Sequence, residues 1–161
     1  MNALSAVEYG ALLRSDLSSF IQKSFSELHA RGDFLHNWHL DLMADRLAGV
    51  MEGRIKRLII TVPPRSLKSI CVSVGFVAWV LGHYPTREII CVSYGQDLAD
   101  KHARDTRQVM QSKWYKEIFA TRLSSDRVAI HDMRTTQQGG RLATSVGGGA
   151  DRSWRGHPDR G

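Results

Sequence analysis

One stretch constrains this chain more than any other: residues 57–81, reading RLIITVPPRSLKSICVSVGFVAWVL. Leu58, Ile59, Ile60, Thr61 and Val62 form a run of high strand propensity without alternation, the pattern of a strand buried on both faces. Pro63 and Pro64 end it. Beyond the turn, Ile70, Val74, Val77, Ala78 and Leu81 recur at three- and four-residue spacing, which places one apolar stripe along a helix. The stretch predicts a strand, a tight loop and a helix in that order.

Lys68 and Ser69 then fall at the helix N-terminus, where free backbone N–H groups and the helix dipole favour an anion. Lys followed by Ser at this place is the pair that reaches the β- and γ-phosphates and a Mg²⁺ ion in a phosphate loop. The pattern departs from the usual one at two positions, since Val62 and Leu67 stand where glycines let the backbone fold around phosphate. Taken alone, the loop is equally well read as a helix start with a solvated lysine. The flanking segments decide between the two.

A chain of 161 residues is long enough for one domain with a substantial core and too short for two ordinary ones. Its formal net charge of +6 suits an acidic partner such as nucleic acid, although a basic surface also serves solubility. Cys71 and Cys91 lie in apolar stretches without metal-ligand spacing and read as buried free thiols. Residues 1–10 lack the basic region of a signal peptide, and the apolar stretch 70–81 is too short to span a bilayer. A cytoplasmic protein that makes no membrane contact is expected.

Residues 1–32 read as helical, with Ser15 or Asp16 capping a helix whose Leu17, Ile21, Phe25 and Leu28 share a face. In residues 34–53, Leu40, Met43, Leu47, Val50 and Met51 again share a helical face, and Gly53 supplies a stop. Residues 88–93 read as a second buried strand, 96–110 as a polar helix and 114–119 as a short helix. Residues 127–130 and 141–146 are expected to form a hairpin that turns at Gln138, Gly139 and Gly140, and residues 150–161 to be disordered. Strands followed by helices give the βαβα order of an α/β domain with a parallel sheet.

In order and spacing, three segments resemble the N-terminal ATPase domain of phage large terminase subunits, the motors that pump DNA into procapsids. They are NWHLDLMADRLAGVMEGRIKRLIITVPPRSLKS, the strand ending Val92-Ser93-Tyr94 with Asp97-Leu98-Ala99 after it, and GGRLATSVGGG. The resemblance runs from about residue 34 to 149, most of the chain. It implies an α/β fold with a P-loop NTPase-like parallel sheet, here incomplete, preceded by N-terminal helices. Residues 1–53 would pack on a partial ATPase domain at 54–149. The family's loop commonly reads Pro-Pro-Arg, two variable residues and Lys-Ser, so the missing glycines weigh less.

The resemblance also assigns roles. The loop residues Pro64, Arg65, Ser66, Leu67, Lys68 and Ser69 would hold ATP, with Lys68 on the β- and γ-phosphates and Ser69 on Mg²⁺. Arg65 would reach the γ-phosphate or transmit its loss, the one catalytic role the loop offers. Trp38 and His39 match the segment on the adenine side, with a packing aromatic as the plain alternative for Trp38. The implied partners are double-stranded DNA, the portal protein and the small terminase subunit, and the full-length protein would act as an oligomer at the procapsid vertex. The implied chemistry is phosphoryl transfer to water, which needs positioning, charge neutralisation and a base.

The base is not found. In the family a Gly-rich segment like 146–149 leads to an apolar strand ending in an acidic pair, whereas this chain reads ADRSWRGHPDRG and stops. Neither Asp151 nor Asp159 follows a strand pattern. Read one base later, codons for this tail can spell a family-like continuation, and the single Trp codon followed by any Arg codon forces a Gly where the family has one. The expectation is an out-of-frame tail at 150–161, and weak nucleotide binding without turnover. Two other readings remain open: a non-enzymatic nucleic-acid binder using Arg54, Lys56, Arg57 and the Arg-rich tail, and a helicase-like ATPase whose carboxylates come from a partner.

Overall fold

The computed structural model describes residues 4–125 and 129–146. The fold is mixed α/β. Six α-helices and a π-helical stretch surround a three-stranded mixed sheet among the described residues. The expected flexible stop at 147–149 and the tail at 150–161 lie outside them.

The first three helices form where the sequence caps them. Helix α1, Ala6–Ser15, begins with a capping box in which the Ser5 side chain and backbone are matched by Glu8. Asp16 ends α1 and caps α2, Leu17–Leu28, by accepting from the Ser19 N–H at 2.8 Å. In α2 the face carrying Leu17, Phe20, Ile21 and Phe25 is buried. Helix α3, Trp38–Met51, buries Leu40, Met43 and Leu47, then closes at Gly53, whose φ of +77° suits a residue without a Cβ.

These helices pack on the segment after the loop. A π-helical stretch, Ile70–Gly75, runs directly into α4, Phe76–His83. Cys71, Val74, Val77, Ala78 and Leu81 are buried there, so the apolar stripe is realised as the core of the molecule. Burial pushes the Cys71 thiol up to about 11. Helix α5, Gln96–Gln111, and α6, Lys113–Ile118, complete the helical layer. Phe20 meets Trp114, Tyr115 and Phe119 edge-on at centroid distances of 5.3, 6.2 and 6.1 Å. Gly82 is required beside this cluster, because a Cβ there would lie 2.7 Å from the Phe119 ring.

The sheet corrects three expectations. Its order is β1-β3-β2, with β1 (Glu88–Ser93) parallel to β3 (Gly140–Ser145) and β2 (Asp132–Arg134) antiparallel to β3. Residues 58–62 are not in it. They run extended, with Leu58 and Ile60 packed on the core while Ile59 is 91% exposed, so one face is buried rather than two. Strand β1 is likewise covered on one face only, leaving Ile90 57% and Val92 60% exposed. The first arm of the hairpin is 132–134 instead of 127–130, of which 127 and 128 lie outside the described residues. The chain returns through Gln138, at φ 71°, and Gly139, where a Cβ would sit 2.3 Å from the Pro85 carbonyl oxygen.

Candidate functional site

The loop at 62–70 is built by backbone rather than by glycine. Ser66 Oγ donates to the Pro63 carbonyl at 2.7 Å and closes the turn. Arg65 and Leu67 take left-handed backbone conformations, φ 63° and 56°. Each costs about 1–2 kcal/mol for a residue with a Cβ. The Leu67 side chain is packed against the core, which helps hold this strained turn. Leu67 thus adopts the geometry for which a glycine would ordinarily be used, without being one. The sequence signal that seemed to argue against a phosphate loop is absorbed as strain.

The Leu67 carbonyl accepts the Cys71 N–H at 2.9 Å, the first bond of the helix that follows. The amides of Lys68, Ser69 and Ile70 precede that bond and lie at the positive end of the helix dipole. Residues 62–70 line a cleft of about 410 Å³. Lys68 and Ser69 are exposed, and no described side chain or backbone group bonds the Lys68 ammonium, the Ser69 hydroxyl or the Arg65 guanidinium. Such an arrangement, free cations above free amides, can take an oxyanion.

A second cavity of about 300 Å³ adjoins the first through Arg65, Ser66 and Leu67, which line both. Its other wall comes from the start of α3 and the segment before it, including Asp33, Asn37 and His39. His39 Nε2 is buried there without a hydrogen-bond partner. Thus His39 is brought to the loop, while Trp38 does not line either cavity and is 72% exposed. That exposure overturns the packing-aromatic alternative for Trp38. His39 Nε2 could not be singled out from sequence, because its burial depends on how α3 meets the loop.

For a metal the lining is sparse. The cleft at 62–70 offers the hydroxyls of Ser66 and Ser69 and no carboxylate. Among the described residues no group of three or more His, Cys, Asp and Glu is placed to hold a metal ion. One hydroxyl fits a Mg²⁺ that keeps waters and is shared with a bound phosphate, the usual manner for that ion. Of the residues named for an alternative basic surface, Arg54 is engaged by Glu52 and Arg57 and Lys56 are exposed. A third cleft, of about 510 Å³, lies between α2 and α3. Its Asp41 accepts from Ser18 at 2.6 Å and lies 3.0 Å from His36 Nε2, bonds that hold its carboxyl below the usual range.

No family model, curated protein or solved structure matches the chain. No helix among the described residues is long and apolar enough to cross a membrane.

Proposed function

We propose that this chain is the ATP-binding part of a phage DNA-packaging motor, the N-terminal ATPase portion of a large terminase subunit. The observation that carries the reading is the strained loop: left-handed backbone at Arg65 and Leu67, ending on a helix whose first residues are Lys68 and Ser69. Strain of this kind persists where the surrounding structure holds it for a purpose. In this reading Lys68 neutralises the β- and γ-phosphates, Ser69 ligates Mg²⁺, Arg65 faces the γ-phosphate and His39 borders the base. The cavity shared by His39 and Arg65 lies where a nucleoside joined to the bound phosphates would extend.

The mixed α/β fold is read more finely as part of a P-loop sheet. Residues 58–62 supply the strand that leads into the loop, β1 supplies another, and the strands that would flank 58–62 come later in such a domain. The carboxylates that order Mg²⁺ and activate water come with those strands, so the chain binds nucleotide weakly and does not turn it over. DNA, the portal protein and the small subunit are partners of the complete motor.

Calorimetric titration with Mg-ATP tests the reading. Lys68→Ala is expected to weaken binding by about ten-fold or more, the scale of one charge-assisted contact, with the melting temperature unchanged. Binding that is equal in both proteins would overturn it, as would hydrolysis by the purified chain that Lys68→Ala abolishes, for the second part of the claim.

A further inference from the structure

Arg141 lies on β3 with 1% of its surface exposed, and none of its three guanidinium nitrogens has a hydrogen-bond partner. Its polar neighbour is the Cys91 thiol on β1, which does not meet hydrogen-bond geometry with it and which burial keeps protonated. On α5, His102 faces the same place with its Nδ1 buried and unpaired, and the nearby Asp105 carboxylate is taken by Lys101 at 2.7 Å. No described carboxylate compensates the charge. A buried guanidinium is among the most costly groups to leave unpaired, and an arginine fork matches a carboxylate.

The place from which a carboxylate could come is also defined. Strand β1 is an edge: β3 lies on one side and no described strand on the other. The Arg87 and Ser93 carbonyls accept from Gly140 and Val146 of the β3 segment, so by alternation the N–H and C=O groups of Glu88, Ile90 and Val92 turn to the free edge. Arg141 is in register with Ile89, and its guanidinium leans to Cys91, toward that edge. A strand added there would lie roughly 4.8 Å beyond β1, within reach of the guanidinium.

We propose that Arg141 is the receptor half of a buried ion pair whose carboxylate arrives on an extended segment of another polypeptide that adds to the free edge of β1. The segment alternates. Its residue opposite Cys91 is Asp or Glu and faces α5, and the residues on either side are apolar and lie beside the exposed Ile90 and Val92. Main-chain bonds to the edge supply affinity and the carboxylate supplies selectivity. Nothing in this pairing depends on the loop binding phosphate.

The test uses the 161-residue chain. The probes are a seven-residue peptide alternating Val and Thr around a central Asp, and its Asn twin. The Asp peptide should bind at least about ten-fold more tightly than the Asn twin, the scale of a charged hydrogen-bonded pair, and R141M should erase that difference. R141M should also raise the melting temperature of the peptide-free chain. Because R141M alone could act through packing, Cys91→Asp places a carboxylate beside the guanidinium from within: its cost to folding should be at least about ten-fold smaller with Arg141 present than in the R141M background. Equal binding of the two peptides, no binding of either, a lower melting temperature for R141M, or an equal cost of Cys91→Asp in both backgrounds would overturn the proposal. A dimer of the chain that persists in R141M would overturn it too, since the edge would then be covered without the ion pair.

Discussion

The helical layer and the sheet of this molecule are finished to different degrees. In the helical layer the aromatic cluster is buried and its polar tips are paired: Tyr115 Oη donates to the Ala78 carbonyl at 2.9 Å, Trp79 Nε1 to Leu13 at 3.2 Å and Trp114 Nε1 to Glu27 at 3.1 Å. Burial keeps the Tyr115 hydroxyl protonated far above its ordinary range. On the sheet side, Arg141 is buried without a partner, Ile59, Ile90 and Val92 are exposed, and residues 58–62 pair with no strand. Packing satisfied from within gives stability. Groups left unsatisfied mark where something else belongs.

The contrast can be broken by substitution. Phe20→Ala removes the ring at the centre of the aromatic cluster and should cost about 3–5 kcal/mol, read as a lowered urea midpoint, because the surrounding rings can close the cavity only partly. A loss below 1 kcal/mol would mean that the helical layer is not the seat of stability. Arg65→Gly should act in the opposite direction, gaining up to about 1 kcal/mol by relieving a left-handed residue while losing some of that gain to unfolded-chain entropy. Destabilisation by Arg65→Gly would show that the loop is not strained as described. Ile90→Thr on the open face of β1 should change stability by no more than about 0.5 kcal/mol and reduce self-association in ultracentrifugation. A large loss there would show that the face is covered.

What could be read from the sequence divides along the same line. Elements fixed by local chemistry were legible: the Asp16 cap, the faces of α2 and α3, the 88–93 strand, and the loop with its Lys68-Ser69 exit. Elements that depend on distant pairing were not. The apolar run 58–62 reads as a two-sided strand because composition cannot say whether neighbours arrive, and here none of the described residues pairs with it. Strand β2 has only Asp132, Met133 and Arg134 to announce it, and its place is fixed by pairing with β3 rather than by propensity. The strain at Leu67 and the unpaired guanidinium of Arg141 are properties of position, invisible until the chain is folded. The site was half legible: Lys68 and Ser69 by motif, but not the meeting of His39 with Arg65 across a second cavity.

The central claim is that the strained loop between the two Pro-Pro residues and the helix receives phosphate. Amide chemical-shift mapping of the ¹⁵N-labelled chain during titration with Mg-ATP tests it most directly. The account predicts that the largest shifts fall on the amides of Ser66, Leu67, Lys68, Ser69 and Ile70, with a smaller set at His39, and that Lys68→Ala removes both. Shifts confined to Lys56, Arg57 and other exposed basic residues, unchanged by Lys68→Ala, would contradict it and identify a surface that attracts phosphate by charge alone.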